Sequence, residues 1–285
     1  MPTESQPKFT VTALLRLTRF GNLLIIGMAQ YFAAVFLINS KLLLDWKLFV
    51  LASSTSIIAG AGYIINDYYD IKIDLINKPS RVVIGKDIPR RYALLFHSVL
   101  SFIGVALGFL LGWKIGLINI FSSFLLWWYS NSLKRQPLIG NFMVALLTGL
   151  SIVLINVLYG LSDPFVVIYS LFAFFMTLVR EIIKDMEDLK GDNTFGCKTL
   201  PIIWGIRKTK WLIYFLLALL SALVILLNTT YTQMPFYYFL FFLFVPLAFF
   251  IFWLVPADTK RDFYTLSQWC KVIMLLGVVS MAFVN

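Results

Sequence analysis

Asp67, Asp70 and Asp74 read D-x-x-D-x-x-x-D, and the pattern returns 118 residues later as Asp185, Asp188 and Asp192. These are six of only 14 acidic residues in a chain that is 60% hydrophobic. Spacings of three and four set side chains on one face of a helix. At about 100° per residue, Asn66, Asp70 and Asp74 fall within about 80° of one another, and Asp67 widens the arc to about 100°. Glu181, Asp185, Asp188 and Asp192 fall within about 60°, unless Gly191 ends the helix and leaves Asp192 on a turn. Carboxylates crowded in this way repel and raise one another's pKa, and a divalent cation removes the repulsion. Donors that are all oxygen select Mg²⁺, Mn²⁺ or Ca²⁺ over softer metals, and Mg²⁺ commonly bridges one or two carboxylates to substrate phosphates. One such triplet is a weak signal, because a solvated helix end with ion pairs produces it often. Two matching triplets, each closing an apolar segment, point to a site for hard cations and, through them, a polyphosphate.

Cationic side chains accompany both acidic rows. Lys78, Arg81 and Lys86 follow the first, and Arg180, Lys184 and Lys198 surround the second. Lys134 follows Trp127-Trp128-Tyr129-Ser130. A guanidinium grips phosphate bidentately, which makes Arg81 the leading phosphate contact among them. The competing account is that such residues only mark the cytoplasmic face of a membrane protein. Arg19 and Asn22, three apart, share a face near the start of the first apolar block, where a polar side chain needs a partner. Tyr63, Tyr68, Tyr69 and Tyr129 lie near the acidic rows in sequence, and an aromatic face stabilises a developing carbocation. The only histidine, His97, sits in an apolar run and reads as a polar residue tolerated inside a helix. Cys197 and Cys270 have neither zinc nor disulfide-framework spacing.

These residues need elements to hold them, and composition says which. The 285 residues have a mean hydropathy of +0.85 and 13% charge, against roughly 25% charge in soluble domains. Apolar blocks fall at 12–39, 47–66, 92–113, 115–131, 138–160, 164–184, 210–228, 236–256 and 263–284. Each approaches the ~20 residues that cross ~30 Å of hydrocarbon. The expectation is an all-α polytopic membrane protein: nine transmembrane helices around a central cavity, with long polar cytoplasmic loops at 67–91 and 185–209. Asp163-Pro164 and Asp87-Ile88-Pro89 read as helix starts. Residues 1–10 lack the charged region and cleavage site of a signal peptide. A single domain over 1–285 is expected, built from two four-helix halves and a ninth helix.

In a nine-helix arrangement, 20 of the 24 Lys and Arg fall on one side, together with both acidic rows. That places the chain in the cell (inner) membrane with the N-terminus and the acidic rows cytoplasmic and the C-terminus outside. It also accounts for the net charge of +10 through anionic lipid headgroups, without nucleic acid.

N-D-Y-Y-D-I-K-I-D followed by I-N-K-P-S-R-V-V-I-G-K resembles the first signature of the UbiA superfamily of intramembrane prenyltransferases. K-D-M-E-D-L-K-G-D followed by G-C-K-T-L-P resembles the second, and Y-S-N-S-L-K also fits. The resemblance implies Mg²⁺ held by Asn66, Asp70, Asp74, Asp188 and Asp192, binding a prenyl diphosphate. Asp67 and Asp185 complete the acidic set. Arg81, Lys134 and Lys198 would add positive charge, with Lys78 and Arg180 beside them. Arg19, Asn22, Tyr63, Tyr68, Tyr129 and Ser130 would line the substrate and the cationic carbon. Within the superfamily the chain is most similar to enzymes that transfer a geranylgeranyl group to geranylgeranylglyceryl phosphate in ether-lipid synthesis. That similarity rests on N-D-Y-Y-D-x-x-I-D-x-I-N-K-P-x-R and R-E-I-I-K-D-x-E-D. The alternative acceptor is aromatic, of the 4-hydroxybenzoate or naphthoate type used in quinone synthesis. A rival of another class is a cation transporter, which would place its carboxylates near the bilayer midplane in broken helices.

Overall fold

The computed structural model describes residues 10–232 and 234–284; the polar segment ahead of Thr10 lies outside them. The described residues are helical, with no strand among them and one isolated bridge between Ile84 and Ile88. In order the helices are α1 (Val11–Leu17), α2 (Phe20–Phe32), α3 (Trp46–Asn77), α4 (Arg90–Leu111), α5 (Trp113–Asn131) and α6 (Ile139–Tyr159). Then come α7 (Pro164–Glu187), α8 (Leu189–Thr194), α9 (Leu200–Leu227), α10 (Phe236–Leu254) and α11 (Lys260–Ser280). Eight helices among the described residues are long and apolar enough to cross a membrane. The fourth expected block is a helix too, but α5 is not one of those eight. Its 19 residues include Lys114, Asn119, Ser122 and Ser123, which dilute its apolar run.

The chain forms two compact units: the residues up to Gly27 with Val50–Ser132, and Met28–Phe49 with Leu133 onward. In the first, small residues set the packing, as expected where helices associate without a hydrophobic drive between them. A Cβ on Gly104 would lie 2.5 Å from Ile58, and one on Gly108 would overlap Asn119. Asn119 donates to Ser54 Oγ at 2.7 Å and to Gly104 O at 3.0 Å. Gly116 meets Phe109, so α5 runs back antiparallel along α4. His97 is structural: its Nδ1 donates to Ala61 O at 3.0 Å.

In the second unit α7 is the central helix. Met176, Val179, Ile182 and Ile183 are buried with Ile213 and Leu217 of α9, Phe250 of α10, and Phe263 and Cys270 of α11. Gly149 admits α6 against Ser170 O, and Gly277 admits α11 against the Phe172 ring. Asp163 caps α7 as expected, accepting from the amides of Phe165 and Val166. Asp87 does not cap α4, which begins behind Pro89 with no side-chain cap.

The structure corrects the two long loops. The first acidic row is not loop: α3 runs unbroken for 32 residues through Asp67, Asp70 and Asp74 to Asn77, leaving a shorter connection over 78–89. The second row spans the end of α7, with Asp188 as its C-cap at φ −95° and ψ 7°. Helix then resumes as α8, and α9 begins at Leu200, ten residues ahead of the expected 210. The expected 12–39 block is likewise broken, between α1 and α2.

Candidate active site

In the first unit the acidic row lies on uninterrupted helix, so Asn66, Asp70 and Asp74 share one face as the 3.6-residue period requires. Arg19 occupies the break between α1 and α2 with φ 51°, a left-handed conformation that costs a non-glycine residue roughly 1–2 kcal/mol. Side-chain contacts offset that strain. Arg19 Nη2 donates to Asp67 Oδ1 at 2.7 Å, and its guanidinium lies 4.9 Å from the Tyr63 ring centroid. Asn22 donates to Tyr63 Oη at 3.3 Å. Burial opposes the Arg19 charge, but Asp67, Tyr63 and Asp74 outweigh it and hold the guanidinium pKa above its ordinary value. Four of the expected residues (Arg19, Asn22, Tyr63 and Asp67) therefore form one cluster at the head of the row.

The segment after the row is pinned by its apolar residues. Val83, Ile84 and Ile88 are buried with Leu17, Ile64 and Ile71, and Gly85 turns the chain at φ 90°. Lys78 donates its backbone amide to Asp74 O at 2.7 Å, so the turn Pro79–Arg81 starts directly from the row and presents Arg81 exposed. Lys86 Nζ donates to Pro79 O. Two expected residues face elsewhere. Tyr68 packs on the buried Val83–Ile88 cluster, edge-on to Tyr69. Ser130 is buried and donates to Leu126 O at 2.8 Å. Tyr129, beside it near the end of α5, is half-buried.

In the second unit Asp185 Oδ2 accepts from Asn141 Nδ2 at 2.8 Å. Glu181, buried, accepts from Arg180 Nη1 at 2.7 Å and from Lys184 Nζ at 2.8 Å. Arg180, expected at the diphosphate, is thus engaged one residue away. Past the Asp188 cap, the Asp192 amide donates to Asp188 O and the Cys197 amide to Asp192 O at 2.9 Å, which folds the chain back. The Lys198 amide then donates to Arg135 O at 2.8 Å, tying Lys198 to the turn that carries Lys134. That turn is fixed from the other side by Gly140, where a Cβ would lie 2.8 Å from Lys134 Cα. Lys134 and Lys198 are thus positioned by close backbone contacts, and Asn141, next to Gly140, links them through its side chain to Asp185.

Asn141 was not singled out by sequence. The signal available was Gly140-Asn141 at a helix start seven residues after Lys134, a glycine needed for close approach followed by a buried amide. Among the described residues no three His, Cys, Asp or Glu side chains close on a single point. Two carboxylates of the rows, Asp67 and Asp185, are drawn to Arg19 and Asn141. The donor set is nonetheless all oxygen, which fits Mg²⁺. That ion keeps several waters and takes few protein ligands when a substrate phosphate supplies the rest.

Comparison with known proteins fits this arrangement. The model of the UbiA prenyltransferase family matches residues 27–279. A digeranylgeranylglyceryl phosphate synthase of Methanosphaera stadtmanae is 35% identical over 239 residues, covering 79% of this chain and 83% of the relative. A solved digeranylgeranylglyceryl phosphate synthase superposes with a TM-score of 0.71 at 26% identity, over 96% of this chain and 97% of the other. A UbiA homologue from Archaeoglobus fulgidus, solved with GPP and Mg²⁺, shares the fold at a TM-score of 0.61 and 15% identity, over 95% and 99% of the two chains. Two aspartate rows of one pattern, each beside a set of cations, thus sit in a fold and a sequence lineage common to prenyl-transferring enzymes, and this chain belongs to the UbiA prenyltransferase family as an integral membrane enzyme.

Proposed function

We propose that the chain transfers a geranylgeranyl group from its diphosphate to geranylgeranylglyceryl phosphate, with Mg²⁺, in ether-lipid synthesis. The observation that carries the reading is the unbroken row of Asn66, Asp70 and Asp74 on α3, with Arg19 fixed at its head. The name of the M. stadtmanae relative supports the lipid acceptor over an aromatic one, and the GPP and Mg²⁺ of the A. fulgidus homologue support the donor and the ion. Bound Mg²⁺ would neutralise charge on the departing diphosphate. Asn66, Asp70, Asp74, Asp188 and Asp192 hold it in this reading, and Lys78, Arg81, Lys134 and Lys198 contact phosphate oxygens and stabilise the charge that builds as the carbon–oxygen bond breaks. Tyr63 and Tyr129 turn aromatic faces to the allylic carbon, Arg19 and Asn22 orient the substrate, and the apolar surroundings keep water from quenching the cation. The acceptor hydroxyl then forms the new ether bond and releases its proton. In this reading the diphosphate is bound from the cytoplasmic side. The antiparallel return of α5 along α4, which would bring the chain back to the side it left, supports that sidedness, as does the clustering of basic residues there.

The deciding experiment supplies purified protein with labelled geranylgeranyl diphosphate and one acceptor at a time. A lipid-phosphate product that needs Mg²⁺ and disappears with chelation is expected. A product with 4-hydroxybenzoate or a naphthoate, and none with the glyceryl phosphate, would refute the acceptor assignment.

Asn141 is a positioning residue in this reading, because its amide holds Asp185. Asn141→Ala should raise the Mg²⁺ concentration for half-maximal rate by roughly 10–100-fold, the usual scale for loss of an outer-shell partner. Titration calorimetry of Mg²⁺ with a non-reacting diphosphate analogue should show the same weakening without turnover. An unchanged Mg²⁺ requirement would remove Asn141 from the site.

A further inference from the structure

Away from the acidic rows, the second unit carries a groove of about 960 Å³ of empty space, counted out into its open mouth. One wall is the stripe Arg207, Lys210, Trp211 and Tyr214 of α9, at helical spacings of three and four. The other is Ile251, Val255 and Asp258, where α10 ends and the chain turns toward α11. Both walls lie where apolar spans begin or end, the level of a bilayer's headgroups.

The chemistry of the walls is divided by height. Trp211 and Tyr214 meet edge-on at 5.8 Å, and with Ile251 they form an apolar floor. Trp211 is 66% exposed and Val255 62%, so this floor opens outward. Above it, Arg207 is exposed and its side chain has no hydrogen-bond or ion-pair partner among the described residues. Lys210 Nζ donates one hydrogen bond, to Val255 O at 3.0 Å, which leaves two N–H groups on the ammonium. Asp258 is the one acid among the lining residues, so the two lining cations leave a net charge of +1 there, with Asp262 behind them also acting on Lys210.

We infer that this groove is a binding site for an anionic phospholipid of the surrounding bilayer, the phosphate between Arg207 and Lys210 and the glycerol and upper chains along Trp211, Tyr214 and Ile251. The charge selects an anion, and the outward-opening apolar floor selects one that carries hydrocarbon. Basic pockets between membrane helices recognise lipid headgroups in this manner.

The test uses the full-length protein in phosphatidylcholine nanodiscs titrated with dioleoyl phosphatidylglycerol, with bound lipid counted by native mass spectrometry. One phosphatidylglycerol should be held about tenfold more tightly than phosphatidylcholine. Arg207→Gln with Lys210→Gln should lower that affinity about tenfold, to the level of phosphatidylcholine. Asp258→Asn should raise it severalfold. Arg90→Gln with Arg91→Gln, which removes equal charge elsewhere, should change it less than twofold. The single exposed change Arg207→Gln supplies the same comparison if the double variant unfolds. Equal losses in the two double variants, or no loss in the first, would overturn the site. Displacement of the lipid by excess inorganic phosphate would overturn its assignment to a lipid. None of these outcomes depends on catalysis, so they are separable from a failure of the proposed reaction.

Discussion

Replacing Asp70 with asparagine should slow prenyl transfer by about a thousandfold or more while the protein stays folded. Asparagine keeps the shape of the side chain and one acceptor oxygen but removes the charge that makes the row a cation site. A metal-neutralised leaving group accounts for several kcal/mol of transition-state stabilisation, and a loss of about 4 kcal/mol corresponds to about a thousandfold in rate. The fold should not suffer. Asp70 is half-buried in the last third of α3, seven residues before its end, and one fewer negative charge beside Asp67 and Asp74 relieves repulsion. Single-turnover rates with geranylgeranyl diphosphate, read beside the thermal unfolding midpoint, separate the two effects. Activity within tenfold of the parent enzyme would dismiss Asp70 from the chemistry.

Asp188→Asn should cause a loss of similar size, and the double variant with Asp70→Asn is the more telling measurement. Groups acting on the same transition state as a unit are strongly non-additive. If both rows serve one diphosphate, the double variant should be no more than about tenfold slower than the worse single variant. Independent action would instead multiply the two losses, to about a millionfold. A multiplied loss in kcat/KM would refute the shared substrate.

Much of this was legible because it is periodic or local. The acidic row of α3, the Asp163 cap and the spans follow from spacing, turn chemistry and hydropathy. Arg19 and Asn22 were marked because polar side chains in an apolar run need partners, and Tyr63 and Asp67 supply them. What sequence hid depends on tertiary context. Polar residues 67–77 read as loop, yet α3 continues through them, since Ile71 and Ile73 still find buried positions. The break at Asp188 has no glycine or proline to announce it. The start of α9 was obscured by Gly205, whose non-helical φ of 75° and ψ of 162° set a short leading helical segment off from the long span behind it. Asn141 was silent because its function is to reach a carboxylate 44 positions away.

The length of α3 has a consequence for how a greasy substrate is handled. Thirty-two residues make a rod of about 48 Å, some 18 Å longer than the hydrocarbon it crosses. The reacting end of an amphiphile can be gripped by that overhang while its tail remains dissolved in the leaflet that delivered it. Pulling a 20-carbon chain into water would cost on the order of 15 kcal/mol, at about 0.8 kcal/mol per methylene-sized group. A catalyst with a projecting rigid stalk can avoid that extraction, because the reacting end is met without moving the tail out of its leaflet.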